Sequence, residues 1–187
     1  MSAAVLPSSR PVSYSRVTLT ELMIPAYANF GGKIHGGILL SLMDKVAYAA
    51  ASKHAGTYCV TVSVDGVNFL QPVEVGELVS LLASVNYVGR TSLLVGIKVI
   101  AENVRTGTVK HTNTCYFTMV AKDDDGKPMV VPALELETPE DTRRFLEAIK
   151  RREFKSRFNE EFNNARFTIS ADQQQTLLQG ERCHIGY

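Results

Sequence analysis

The sequence predicts an α+β domain in which a long antiparallel β-sheet wraps around one buried helix. Three observations carry that expectation. The apolar run Ile38 to Ala51 has Asp44 and Lys45 as its only charges; it is too short to span a bilayer and long enough for a buried helix. β-Rich runs follow it, punctuated at Pro72, Gly76, Gly89-Arg90 and Thr106-Gly107, which are turn signals. One strand-like run precedes it, and a single helix followed by consecutive strands is the α+β pattern.

Taken in order, residues 1–13 are small, polar and proline-punctuated, and are expected to form a flexible N-terminal arm. Residues 14–137 form the sheet-and-helix domain. Ser15 to Ile24 alternates through Val17, Leu19 and Leu22 and reads as a first strand before Pro25. The central helix is expected to end near Lys53, His54 and Gly56, since basic residues and a glycine suit a helix C-terminus. Cys59 to Leu70 reads as a strand through Val60, Val62 and Val64. Its apolar parity shifts at Gly66, before Val67 and Phe69, which predicts a bulge. Glu77 to Val88 and Thr91 to Val104 form a hairpin about Gly89-Arg90, and Val109 to Ala121 completes the sheet before Asp123-Asp124-Asp125-Gly126.

Thr138-Pro139-Glu140-Asp141 is a strong helix start, with a polar cap, proline at the first position and acids in the first turn. Residues 138–162 are expected to form a C-terminal helix through Phe145, Leu146, Ile149 and the basic cluster Lys150 to Arg152. Residues 163–187, with Gln173-Gln174-Gln175, carry no core pattern and are expected to form a flexible tail. No internal repeat is visible, so the domain is a single unit.

At 187 residues, 45% of them hydrophobic and 21% charged, the chain can bury a sizeable core. Its net charge of +1 gives no basic footprint for nucleic acid. No stretch reads as a membrane span, and Met1 to Pro11 lacks a charged-then-apolar signal pattern. Cys59, Cys115 and Cys183 are odd in number and scattered, so neither a disulfide framework nor a metal site is expected, and the cytoplasm is the expected compartment.

Candidate chemistry gathers around the central run. Gly36 and Gly37 open the helix, where unpaired N–H groups and the positive dipole end point outward. Asp44 lies two helical turns beyond Gly37 on nearly the same face. An acid inside an apolar helix is costly to desolvate unless it is paired. A donor-rich helix start with an acid beside it suits polarising a carbonyl and activating water. By spacing alone Asp44 is equally an exposed acid pairing with Lys45 or Tyr48, Asn29 before Gly31-Gly32 is most often a turn residue, and His35 is a polar loop histidine. Gly89, Arg90, Thr91 and Ser92 combine a glycine turn, a guanidinium and two hydroxyls, the chemistry of a phosphate contact or simply of a hairpin turn.

The segment Asn29-Phe-Gly-Gly-Lys-Ile-His-Gly-Gly-Ile-Leu-Leu-Ser-Leu-Met-Asp44 resembles the signature of hotdog-fold acyl-CoA thioesterases, the acyl-CoA hydrolase branch with brain-type and bacterial short-chain enzymes. V-T-V-S-V-D-G-V-N-F-L-Q-P-V-E-V-G-E from Val60 and V-G-R-T-S from Val88 fit the same family in the same order, and the resemblance covers roughly residues 15–155. It implies a hotdog fold and hydrolysis of acyl-CoA to free acid and coenzyme A. No cofactor is implied, coenzyme A being part of substrate and product. It implies Asp44 as general base or nucleophile, and Asn29 contributed by a partner subunit. Backbone N–H groups of Gly37 and Gly36 would face the thioester oxygen, with His35 at the substrate rim. Gly89, Arg90, Thr91 and Ser92 would contact the nucleotide or pyrophosphate of coenzyme A. Paired sites in a homodimer follow, with a hexameric trimer of dimers as the expected assembly. A hotdog dehydratase or hydratase, and a non-catalytic acyl-CoA-binding regulator, are the alternatives.

Overall fold

The computed structural model describes residues 8–166, 170–184 and 186. The elements are β1 (Ser9–Pro11), α1 (Val12–Ser15), β2 (Val17–Leu22), a 3-10 turn (Pro25–Tyr27), α2 (Gly36–Ala55), β3 (Cys59–Val64), β4 (Leu78–Val88), β5 (Ser92–Asn103), β6 (Thr108–Ala121), β7 (Ala133–Glu135), α3 (Pro139–Arg166) and α4 (Ala171–Leu177). The chain divides after Ala148 into two compact units.

The strands β2, β4, β5, β6 and β3 form one antiparallel sheet in that spatial order, so β2 and β3 are its edges. Alternation decides its inner face: Val79, Leu81, Ala83 and Val85 of β4 and Val95, Ile97 and Val99 of β5 are all buried, as period-two side chains require. Against them lies α2, burying Leu39, Leu42, Met43, Val46, Ala47, Ala50 and Ala51. The alanines in its second half let the backbone approach the sheet closely. This is the hotdog arrangement that the resemblance implied.

Both ends of α2 are held chemically. At its start the Nδ1 of His35, the N-cap residue, accepts from the N–H of Gly37 at 2.9 Å. At its end Gly56 takes the left-handed conformation (φ 73°) that ends a helix without a Cβ clash. There Arg10 Nη1 donates to the carbonyls of Lys53 (2.7 Å) and His54 (2.6 Å), satisfying acceptors that the helix leaves unpaired. His54 is fully buried with Nε2 at 3.0 Å from the Pro132 carbonyl, so Nε2 carries the proton. Its Nδ1 has no partner, and burial pushes its pKa down, with the Arg10 charge adding to the effect.

Several expectations are corrected. Residues 8–13 are not a loose arm: β1 pairs in parallel with β7 and delivers Arg10 to the helix end, while residues 1–7 lie outside the described residues. The strand expected from Cys59 to Leu70 stops at Val64, and its irregularity falls between Thr61 and Ser63 rather than at Gly66. Beyond it the chain stays tied to β6 by single bonds, Asp65 N–H to Tyr116 O and Leu70 N–H to Thr112 O, both 2.9 Å. The C-terminal helix runs to Arg166, four residues past 162, and the expected tail contains α4, whose Ser170 and Gln173 form a capping box. Residues 167–169, 185 and 187 of that tail are outside the described set. Among the described residues no helix is long and apolar enough to cross a membrane.

Candidate functional site

Helical geometry sets what α2 shows to solvent. Because positions 39, 42, 43, 46, 47 and 50 face the sheet, Leu40, Asp44 and Tyr48 line the opposite side, one turn apart, and all three are exposed. Asp44 is therefore not embedded in a helix buried all round, as its apolar neighbours suggested. Its partner is neither Lys45 nor Tyr48. Thr61 of β3 donates its Oγ1–H to Asp44 Oδ1 at 2.6 Å, a short charge-assisted bond that leaves the other carboxylate oxygen without a described partner.

A cleft of about 370 Å³ opens beside this pair, lined by Asp44, Lys45, Tyr48, Tyr58, Cys59, Val60 and Thr61. The rings of Tyr48 and Tyr58 form one wall, with centroids 6.0 Å apart. Burial pushes the thiol of Cys59 up to about 11 and that of Cys115 up to about 12, so neither is a thiolate near neutral pH and neither serves as a nucleophile. A larger cleft of about 650 Å³ includes Asn86, Lys98 and Arg144 but none of the site residues read from the sequence.

Asn29 and the glycines belong to the loop that feeds α2. The Asn29 side-chain oxygen accepts from the N–H groups of Gly31 (2.9 Å) and Lys33 (3.2 Å), while its backbone N–H donates to the Lys33 carbonyl at 2.7 Å. Gly32, at φ 75°, supplies the left-handed residue in this turn. With Oδ1 committed to the loop, the Asn29 Nδ2 hydrogens are the groups left to face a substrate. The N–H of Gly37 is taken by His35, whose ring lies so close that a Cβ on Gly37 would sit 2.9 Å from Nδ1. Gly36 N–H has no described acceptor, and the ring of Phe69 lies beside Gly36.

Within one chain the helix start and Asp44 stand apart along the helix axis. Seven residues of α-helix span about 10 Å, whereas a reacting carbonyl must lie roughly 3 Å from both base and oxyanion donor. No described bond joins Asn29 to Asp44 either.

The turn at Gly89, Arg90, Thr91 and Ser92 is a tight β4–β5 connection, with the N–H of Gly89 donating to the Ser92 carbonyl at 2.8 Å. The carbonyls of Arg90 and Thr91 accept from Val131 (3.1 Å) and Ala121 (3.0 Å). The backbone is thus fixed while the Arg90 side chain is exposed and has no described partner. Register puts the turn near Thr61: Thr61 pairs with Met119, and Met119 with Leu93, so two strand spacings of about 5 Å each separate the rows. Among the described residues no group of three or more His, Cys, Asp or Glu side chains could hold a metal ion.

Thr61, Tyr48 and Tyr58 escaped the sequence reading. Thr61 sits in an alternating V-T-V-S-V run, where a polar residue reads simply as the solvent face of a strand; Tyr48 stands one turn past Asp44, the one signal that was available.

Residues 31–108 match the model of a family described as the thioesterase superfamily. Protein VdlD of Helicobacter pylori is 47% identical over 143 residues, 76% of this chain and 82% of that protein. The uncharacterized acyl-CoA thioester hydrolase YkhA of Bacillus subtilis is 35% identical, over 78% of this chain and 84% of its own. An apo-hexameric acyl-CoA thioesterase superposes with a TM-score of 0.79 at 37% identity, covering 82% of this chain and 98% of its own. An acyl-CoA hydrolase of Staphylococcus aureus, solved with butyryl coenzyme A, coenzyme A and coenzyme A disulfide, gives 0.70 at 29% identity over 83% and 99% of the two chains. Variants of that hydrolase with an asparagine, an aspartate or a threonine replaced by alanine have also been solved.

Proposed function

Because this chain belongs to the thioesterase superfamily, we propose that it is an acyl-CoA thioester hydrolase, splitting acyl-CoA into free acid and coenzyme A, with each site shared by two chains. The observation that carries the reading is the exposed Asp44 carboxylate held by Thr61 at 2.6 Å in an open cleft. The residues replaced in the staphylococcal variants support it: the aspartate follows the asparagine by fifteen positions and the threonine follows by seventeen more, the same separations as Asn29, Asp44 and Thr61.

Thr61 fixes one Asp44 oxygen and turns the other toward substrate. As a general base, that oxygen takes a proton from water while the water oxygen bonds to the thioester carbon; collapse of the tetrahedral species breaks the C–S bond, and the proton passes to the departing sulfur. As a nucleophile, it bonds to the thioester carbon and expels the coenzyme A thiolate, which takes up a proton from solvent, and water then opens the mixed anhydride to free acid and the Asp44 carboxylate; the Thr61 bond orients the carboxylate for either course. The developing oxyanion lies at the partner chain's helix start, against Gly36 N–H and Asn29 Nδ2, a placement supported by the roughly 10 Å of helix rise between Gly37 and Asp44 within one chain. The sequence reading offered both Gly36 and Gly37 as donors; the Gly37 N–H is held by His35, which leaves the role to Gly36, with Gly37 and His35 shaping the helix start.

The edge strand β3, with Val62 and Val64 exposed, supplies the pairing surface for a second copy, and hexameric relatives suggest a trimer of such dimers. Arg90 holds phosphate of coenzyme A from its fixed turn, Tyr48 and Tyr58 flank the acyl or pantetheine arm, and no cofactor is called for. Buried free thiols at Cys59 and Cys115 suit a cytoplasmic setting.

The test is release of free thiol from a panel of acyl-CoAs of increasing length, without water addition to an enoyl-CoA. Asp44→Asn keeps the shape and removes the base; turnover is expected to drop roughly 10²-fold or more with the fold retained. Near-normal hydrolysis by a folded Asp44→Asn protein contradicts the assignment.

A further inference from the structure

We propose that the second half of α3 pairs in antiparallel fashion with the same segment of another copy of this chain, through a ridge of three phenylalanines. Phe154, Phe158 and Phe162 recur every four residues and so lie along one face. They are 59%, 64% and 57% exposed. Phe158 and Phe162 stack with centroids 5.9 Å apart and ring planes 16° from parallel, and the Arg157 guanidinium lies 4.8 Å from the Phe154 ring centre. A single exposed phenylalanine needs no explanation. Three in a stripe on the otherwise polar second half of the helix form an apolar patch with a partner's geometry already set.

Charge selects the occupant and its direction. Lys150, Arg151, Arg152, Lys155 and Arg157 precede or flank the first half of the ridge, and Glu160 and Glu161 flank the second. The acid among the bases, Glu153, is already paired with Lys150 at 3.0 Å. Two copies laid antiparallel about Phe158 bring Phe154 of each against Phe162 of the other, and Glu161 of each level with Lys155 of the other. Parallel alignment sets base against base and is disfavoured. The same acids, adjacent to Phe162, oppose an anionic lipid surface, which a membrane-seeking helix would meet with bases throughout.

Area sets the strength. A phenylalanine buries about 150–250 Å², so covering the exposed parts of six rings removes on the order of 700 Å². That is short of the roughly 1,000 Å² of a free-standing interface. The pairing therefore reinforces an assembly whose copies are already close rather than creating one alone.

The experiment uses the full chain. Phe158→Glu changes an exposed side chain, so its circular dichroism should match wild type. By sedimentation, the midpoint concentration of assembly is expected to rise about tenfold or more, while Phe158→Leu stays near wild type. Direction is read by cross-linking in a Cys183→Ser background. A mixture of Arg151→Cys and Ala165→Cys chains should form a mixed disulfide dimer under mild oxidation, and neither alone should cross-link. Homodimeric cross-linking of each single variant overturns the antiparallel arrangement. Unchanged sedimentation of Phe158→Glu overturns the pairing, as does loss of binding to phosphatidylserine vesicles with assembly unaffected.

Discussion

Asp44 and Thr61 are each ordinary alone; their 2.6 Å bond is the centre of the proposed site. Thr61→Val keeps the β-branch that suits a strand and deletes the donor. A hydrogen bond to a charged group is worth about 1.5–3 kcal/mol, so kcat is expected to fall about 10- to 100-fold with KM nearly unchanged, measured by thiol release at saturating acyl-CoA. A change confined to KM would make Thr61 a binding residue instead. Arg90 sits on the far side of the same problem. Arg90→Ala should raise KM for acyl-CoA roughly tenfold or more while sparing a short acyl thioester of N-acetylcysteamine, because it removes binding remote from the reacting carbon; equal effects on both substrates would make it structural. Asp44 stood out as a charge in an apolar run, whereas Asn29, by itself an ordinary turn residue, became a candidate only through the resemblance. Thr61 was not legible, since it becomes special only where an edge strand slips register opposite a helix residue seventeen positions earlier.

Among the elements, α2 shows how much its surroundings decide. Its existence and its C-terminal glycine could be read from the sequence, and the strand ends fell within a residue or two of β4, β5 and β6 because glycine turns mark them. The arm was misread because β1 has three residues, too few for any periodicity, and its parallel pairing with β7 is non-local. Just before β7, the Pro132 carbonyl accepts from the buried His54 ring. Burial, followed by the nearby Arg10 charge that also donates to the His54 carbonyl, holds its pKa below the free value near 6.5. The sign follows: the unfolded chain takes up this proton first as pH drops. The fold bears no penalty above about pH 6.5 and loses stability between there and the lowered folded-state pKa. Urea midpoints of wild type should therefore decline from pH 7.5 to 5.5. His54→Leu should be less stable at pH 7.5, having lost the Pro132 bond, yet show a shallower decline; parallel pH slopes would remove His54 from the account.

At the scale of the whole molecule, the decisive quantity is the rise of an α-helix. Asp44 and the first turn of α2 share a helix face, which is why the sequence suggests they cooperate, yet about 10 Å of axial distance keeps them from meeting on one carbonyl. In the proposed shared site the protomer supplies half a site twice over: Asp44 with Thr61 in one half, Asn29 with Gly36 in the other. Complementation tests this directly. Asn29→Ala and Asp44→Asn chains should each be nearly inactive. If subunits exchange at random, half the dimers hold one chain of each kind. In such a dimer one site carries both lesions and the other carries neither. Mixing should therefore restore roughly a quarter of wild-type activity per chain, from two proteins that separately have almost none. The ratio should track the mixing proportions, peak at equal amounts, and appear only after exchange is demonstrated by mass. A site contained within one chain leaves a lesion in every copy, so exchange without recovery would return both halves to a single protomer.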